Sequence, residues 1–368
     1  STHGVDTTAS ATISVDAITA DDIVNAVESA GNINVTGAVG GDAAPGDTGR
    51  FSVNGTNYSG TVAADSSFSI RVAGRALASD TSFDVTVTGI DHAGKPFSET
   101  TTSVHGVDTT ASATISVDAI TADDIVNAAE STGNINVTGA VGGDAAPGDT
   151  VSFSVNGTNY SGTVAADNSF SISVAGSDLA ADTSFDATVT GTDTAGNPFS
   201  ATTTSTHGAD TSASATISVD AITADDIVNA AESTGNINVT GVVGGDAAPG
   251  DTVSFSVNGT NYSGTIAADS SFSISVAGSD LAADTSFDVT VTGTDTAGNP
   301  FSETTTSVHG VDTMASATIS VDAITADDIV NAAESAGNIN VTGAVGGDAA
   351  PGDTVSFSVN GANYSGTV

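Results

Sequence analysis

The chain has 368 residues, 44 of them Asp or Glu against four Lys or Arg, and a formal net charge of −40 at pH 7. Charge of that sign disfavours nucleic acid and anionic membranes as partners, and the absence of Cys leaves no disulfide framework. No apolar run approaches the ~18 residues that a membrane-spanning helix needs, and no signal-peptide pattern opens the chain.

The chain repeats itself, and the repeat frames every later reading. His3, His105, His207 and His309 each begin a His-Gly-(Val/Ala)-Asp-Thr segment, at a spacing of 102 residues. The division is the end of a preceding repeat at 1–5, full repeats at 6–107, 108–209 and 210–311, and a partial fourth at 312–368. A period near 100 residues suits a self-contained domain rather than a solenoid unit, which needs neighbours to bury its core. Beginning and ending inside a repeat, the chain reads as an excerpt of a longer protein.

Within the second repeat, 113–117 alternates as a first strand, with Ile115 and Val117 on one face. The segment 117–131, VDAITADDIVNAAES, follows as an acidic loop, and its 123–130 part is expected to form one helical turn. Ile125 and Val126 would tuck beneath the end of the domain. A second strand opens at Gly133, with Ile135, Val137 and Val141 inward and Asn134, Asn136 and Thr138 outward. The stretch 142–149, GGDAAPGD, is a loop by composition. Val151, Phe153 and Val155 mark the third strand. Asn156-Gly157 then predicts a type I′ hairpin turn, since both positions need positive φ. The fourth strand carries Tyr160, Gly162 and Val164, and 165–169 turns the chain. Phe170, Ile172 and Val174 make the fifth strand, 176–182 a turn, and Phe185, Ala187 and Val189 the sixth. The stretch 193–198, DTAGNP, is a tight turn before a seventh strand at 199–206.

Seven short alternating strands predict an all-β architecture: tandem seven-stranded antiparallel Ig-like β-sandwich domains joined end to end. The same alternation argues against disorder. The core is modest, so binding of an ion to the folded state alone would widen a thin stability margin by linkage.

With odd strands running one way and even strands the other, the acidic loop falls at one pole of each repeat. The linker Asp, the 142–149 loop and the 193–198 turn fall at the other. Head-to-tail joining brings the two poles together across a linker too short to flex freely. Carboxylates without nearby bases are the ligand set of a hard cation, and Ca2+ takes six to eight oxygens, often from one short loop. The candidate ligands are therefore Asp118, Asp123, Asp124, Asn127 and Glu130 in the second repeat. Their counterparts are Asp16, Asp21, Asp22, Asn25 and Glu28 in the first, and Asp220, Asp225, Asp226, Asn229 and Glu232 in the third. The partial fourth repeat supplies Asp322, Asp327 and Asp328. Linkers add Asp108, Asp210 and Asp312, and the facing loops add Asp144, Asp193, Asp246 and Asp295. At one junction the expectation is an ion held by Asp123, Asp124 and Asp118, by Asp210, and by Asp246 or Asp295. A second ion would use Asn127 and Glu130.

Other acids read as solvated turn or strand residues: Asp65, Asp167 and Asp269, and Asp84, Asp186 and Asp288. The junction histidines lack a second His or Cys nearby, which favours packing or hydrogen bonding over zinc. No catalytic constellation, phosphate-cradling loop or basic patch is present, so no enzyme is expected. The few Phe and Tyr fall mostly on inward positions, which disfavours a carbohydrate-binding module. All four bases, Arg50, Arg71, Arg75 and Lys95, lie in the first repeat, which reads as facing a different neighbour or another chain.

Near-identical tandem units carrying DDIVNAAES, GGDAAPGDTVSFSVNG and TDTAGNPFS resemble the extender repeats of bacterial RTX adhesins, of the ice-binding and biofilm-associated type. The resemblance covers every repeat. It implies type I secretion through a C-terminal signal lying outside this sequence, an extracellular location at the bacterial cell surface, and a stalk made rigid by Ca2+. That stalk would hold a distal ligand-binding tip, with neighbouring repeats of the same chain as its partners. The rival reading is a self-assembling extracellular filament or surface layer, whose copies pair laterally or donate strands.

Overall fold

A computed structural model of the chain describes residues 4–5 and 7–368. The chain forms two compact units, one running to Thr211 and one starting at Ser212. In the first repeat the elements are β1 (Ala11–Val15), β2 (Ile23–Val24), α1 (Ala26–Ala30), β3 (Asn32–Gly41), β4 (Thr48–Val53) and β5 (Thr56–Thr61). Then come β6 (Ser67–Ala73), α2 (Gly74–Ser79), β7 (Ser82–Ile90), β8 (Pro96–Val104) and β9 (Gly106–Val107). The sheet β1-β3-β6 and the sheet β5-β4-β7-β8 are both antiparallel, and β2 pairs in parallel with β9.

Alternation builds the sandwich. In β4 the inward residues Phe51 and Val53 are buried, and in β6 so are Phe68, Ile70 and Val72. These meet Val35, Leu77, Val85 and Val87 in one core, and the second repeat builds an equivalent core around Phe170 and Leu179, with Ala187 where the first has Val85 and Val151 where the first has Gly49. The seven longer strands are those expected. The Asn54-Gly55 hairpin has φ of 48° and 74°, as a type I′ turn requires, and it sets the register Val53 opposite Thr56. Gly37 faces Phe68 across β3 and β6, and a Cβ there would lie 2.1 Å from the Ser14 carbonyl oxygen. The ring and the neighbouring strand occupy the space that any side chain would need.

Two local expectations differ from the structure. The stretch expected to turn at 176–182 contains a short helix, Gly176–Ala181, anchored by the fully buried Leu179. The helical turn expected over 123–130 starts only at Ala128 and ends at Ser131. Asp124 has φ of 61°, in the left-handed region, so no right-handed turn passes through it. Its carboxylate accepts the Ile120 N–H at 2.9 Å, a local bond that supports this conformation. The next two residues, Ile125–Val126, pair in parallel with Gly208–Ala209 instead.

In the second unit, the third repeat has the same two sheets and its own core around Phe272 and Leu281. The partial fourth repeat forms two antiparallel strand pairs, Ala317–Val321 with Gly343–Gly347 and Thr354–Val359 with Ala362–Thr367. Its inward-type residues Ile319 and Val359 are 62% and 56% exposed.

Candidate functional site

The joint between the first and second repeats is assembled from four short segments. The loop after β1 supplies the first. Asp16 accepts from the Thr36 hydroxyl at 2.8 Å, and Asp22, at φ 63°, accepts the Ile18 N–H at 2.9 Å. Asp21 accepts the Ile23 N–H at 3.1 Å and the Thr19 hydroxyl at 2.9 Å. Those two donors, the backbone one foremost, hold its carboxyl below the ordinary aspartate value.

Asn25 caps α1, the second segment. Its Oδ1 accepts the Glu28 N–H at 2.9 Å, and Glu28 Oε2 accepts the Asn25 N–H at 3.0 Å. This reciprocal pair is a capping box, which satisfies backbone donors at the helix start.

The linker is the third segment and has no slack. His105 is buried, with Nε2 3.0 Å from the Leu77 carbonyl oxygen and its ring edge-on to Phe83. His207 and His309 repeat these contacts, so these three junction histidines pack and hydrogen-bond as expected, while His3 lies outside the described residues. β9 then pairs with β2: Gly106 N–H donates to the Asp22 carbonyl at 2.8 Å and Asp108 N–H to the Val24 carbonyl at 3.2 Å.

The turn between Thr192 and Pro198 of the second repeat is the fourth segment. Asp193 Oδ1 accepts the N–H groups of Ala195 and Asn197 at 2.9 and 2.7 Å, and its Oδ2 accepts from Asn197 Nδ2 at 2.8 Å. These donors, the Asn197 side chain foremost, hold the Asp193 carboxyl below the ordinary value. Asn197, only 2% exposed, also reaches across the joint. Its Oδ1 accepts the Ala26 N–H at 2.8 Å, and its Nδ2 donates to the Asp108 carbonyl at 2.9 Å. The Asn197 amide therefore links the two poles.

The structure thus places Asp16, Asp21 and Asp22 in the loop after β1, and Asn25 and Glu28 at the start of α1. It ties Asp108 to that loop through β9 and Asp193 to Asp108 through Asn197. Asp144 Oδ2 accepts the Ser112 N–H at 2.7 Å, and Asp246 does the same with Ser214. The second loop repeats the pattern: Asp118 accepts from Thr138, Asp123 from Thr121 and Ile125, and Asn127 with Glu130 forms the capping box. Asp210 N–H donates to the Val126 carbonyl. In the third repeat Asp220 accepts from Thr240, Asp225 from Thr223 and Asp226 from Ile222, while Asn229 and Glu232 bond each other's backbone. Asn229 also pairs with Asp312, and Asp295 accepts from Ala297 and Asn299. Asp322, Asp327 and Asp328 bond Thr342, Thr325 and Ile324.

Among the described residues no three Asp, Glu or His side chains converge as a metal-holding group. The donor chemistry nonetheless fits Ca2+, whose shell accepts carbonyl oxygens and water beside carboxylates. Asn197 was not among the residues expected at the joint. Its one sequence signal is the exchange at this turn position, where the first repeat carries Lys95.

The chain matches no family model and no curated protein. Among solved structures it is similar to one described as giving structural insight into host cell surface retention of a 1.5-MDa bacterial ice-binding adhesin. The two are 44% identical, over 84% of this chain and 100% of that one, with a TM-score of 0.78. A second, a Ca2+-stabilized adhesin that helps an Antarctic bacterium reach out and bind ice, is 50% identical. It covers 99% of this chain and 89% of its own, with a TM-score of 0.69. A bacterial immunoglobulin-like domain from the M. primoryensis ice-binding adhesin is 51% identical over 28% of this chain and 100% of its own, with a TM-score of 0.26.

Proposed function

We propose a stalk, and the premise is a membership: the chain belongs to the family of tandem Ig-like repeats of bacterial ice-binding adhesins. In this reading its repeats, 6–107, 108–209, 210–311 and the partial 312–368, are structural extenders with no enzymatic role. They stand outside the bacterial cell, at its surface, and hold a distal ligand-binding part of a much longer protein away from it. Their partners are neighbouring repeats of the same chain.

The observation that carries the reading is the joint. Gly106–Val107 is hydrogen-bonded into the first repeat as a strand, and Asn197 grips both the Ala26 N–H and the Asp108 carbonyl. A tether meant to flex would not lock its linker on both sides.

Ca2+ belongs in the same reading, supported by the relative described as Ca2+-stabilized and by the donor set. At the first joint Asp16, Asp21, Asp22, Asp108 and Asp193 would hold it, with Asn25 and Glu28 beside them. At the second the set is Asp118, Asp123, Asp124, Asn127, Glu130 and Asp210. Bound there, the ion supplies positive charge between carboxylates that otherwise repel. Holding it in the folded state alone stabilises that state by linkage.

Small-angle scattering and thermal unfolding of the 368-residue chain, with millimolar Ca2+ and with chelator, test the proposal. A monomer that shortens and melts earlier on chelation is the expected result. Unchanged length and melting would remove Ca2+ from the account. Ordered polymers in electron micrographs would favour the filament.

A further inference from the structure

The stretch FSVNGTNYSGT is identical at 51–61, 153–163 and 255–265. Its Asn-Gly turn carries a chemistry of its own, because glycine puts no Cβ between its amide nitrogen and the neighbouring side chain. The nitrogen of Gly55, Gly157 or Gly259 can attack Cγ of the asparagine before it. A C–N bond forms, the Cγ–Nδ2 bond breaks, and ammonia leaves with the hydrogen of the glycine amide. Water then opens the cyclic imide at either carbonyl, giving aspartate or isoaspartate.

The backbone around the turns is alike. Asn54, Asn156 and Asn258 have φ of 48°, 49° and 49°, and their N–H groups donate to Asp80, Asp182 and Asp284 at 2.8, 2.9 and 3.0 Å. All of these asparagines are exposed. Their side-chain amides differ. Asn156 Nδ2 donates to Asp178 Oδ1 at 3.1 Å, and Asn258 Nδ2 to Asp280 Oδ1 at 3.2 Å. The other oxygen of each acid accepts from Tyr160 or Tyr262 at 2.6 Å, so the carboxylate is itself held in place. In the first repeat Ala76 stands where those acids stand, and its side chain offers no acceptor.

We infer that Asn54 is a site of spontaneous deamidation, and that Asp178 and Asp280 guard the equivalent asparagines of the next two repeats. Ring closure swings Cγ toward the glycine nitrogen. In the second and third repeats that movement breaks the bond from Nδ2 to the acid; in the first there is no such bond to break. An exposed bond of this kind, lost on the way to the imide, should slow the step about three- to tenfold. Isoaspartate at position 54 would add a backbone carbon to the turn that sets Val53 opposite Thr56, so the first repeat is the one that ages. The inference holds whether or not the repeats form a stalk.

The test incubates the full chain at mildly alkaline pH and reads the turns by peptide mass spectrometry. Peptides that include Arg50, Val164 or Ile266 tell the repeats apart. Asn54 should convert about three- to tenfold faster than Asn156 and Asn258. In guanidinium the rates should converge, because the local sequence is identical. Asp178→Ala should bring Asn156 to the rate of Asn54 and leave Asn258, in the same molecule, unchanged. Ala76→Asp should slow Asn54. Tyr160→Phe frees the acid's other oxygen but keeps the amide bond, so Asn156 should stay slow. A melting scan checks that each variant is folded. Equal rates in the parent, a gap that survives guanidinium, or an Asn156 indifferent to Asp178→Ala overturns the inference. So does an Asn54 indifferent to Ala76→Asp. Acceleration by Tyr160→Phe as large as that by Asp178→Ala also overturns it, since general loosening of the hairpin would then explain the rates.

Discussion

Tyr160 donates its phenolic hydrogen to Asp178 Oδ2 at 2.6 Å, and Asp178 Oδ1 accepts from Asn156 Nδ2 at 3.1 Å. One carboxylate thereby ties the hairpin turn to the Gly176–Ala181 helix. Tyr262, Asp280 and Asn258 repeat the arrangement in the third repeat, while the first has Ala76 in place of the acid. The bond from the tyrosine, foremost, holds Asp178 below the ordinary aspartate value, and the same bond raises Tyr160 above the ordinary tyrosine value.

The pH dependence follows with two signs. A depressed carboxyl stabilises the fold above its unfolded pKa, and the effect is lost as pH falls through the folded value. A raised phenol stabilises below its unfolded pKa, and the effect is lost as pH rises through the folded value. Asp178→Ala should therefore lower the melting temperature of the second repeat at neutral pH. It should also flatten that repeat's response to strong acid and to strong alkali. Melting curves of the variant and parent across pH check this; an unchanged acid limb would show the pair to be inert.

The strands were readable because burial alternates with the residues: Phe170, Ile172 and Val174 are all inward, with serines between them. The Asn156-Gly157 turn was readable because few other dipeptides accept its backbone. The Gly176–Ala181 helix was not, since it lacks a side-chain N-cap and is held by the burial of Leu179 rather than by local propensity. The acidic loop was readable as a concentration of oxygen atoms. Its sequence does not distinguish acids that bond the local backbone from acids available to an ion. Asn197 was unreadable as a joint residue because its partner Ala26 is 171 residues away.

Glycine substitutions should rank by surroundings. A Cβ on Gly139 would lie 2.0 Å from the Ser116 carbonyl oxygen and 2.7 Å from the Phe170 ring. Neither backbone nor buried ring yields easily, so Gly139→Ala should exceed the ~1–3 kcal/mol typical of overpacking. Gly148, at φ 99°, has nothing within 4 Å of its would-be Cβ. There alanine meets only the backbone cost of about 1–2 kcal/mol. Denaturant titration of the two variants should preserve that order.

His207→Leu tests the anchor of the linker. Its Nε2 lies 2.9 Å from the Leu179 carbonyl oxygen, and its ring stands edge-on to Phe185. Leucine restores bulk but leaves that carbonyl without its donor, a cost of about 1–3 kcal/mol. The second repeat should melt several degrees earlier, roughly 4–8 °C per kcal/mol for a domain of this size. Equal melting would mean that water or a shifted backbone satisfies Leu179.

Glu130→Gln and Asn127→Ala separate two roles of Glu130. Glu130 closes a capping box with Asn127, its Oε2 accepting the Asn127 N–H at 3.0 Å. Asn127 Oδ1 accepts the Glu130 N–H in return, also at 3.0 Å. Glutamine at the third helical position can make the same return bond, so Glu130→Gln keeps the box. Asn127→Ala removes it, at about 1 kcal/mol. In chelator, then, Glu130→Gln should melt like the parent and Asn127→Ala should melt earlier. In Ca2+ the two possibilities for Glu130 diverge. A glutamate that also holds the ion loses a charged ligand on becoming glutamine, and calorimetric titration should show weaker binding at that joint. A glutamate that serves the helix alone leaves the titration unchanged, and the second ion expected at Asn127 and Glu130 would have no site.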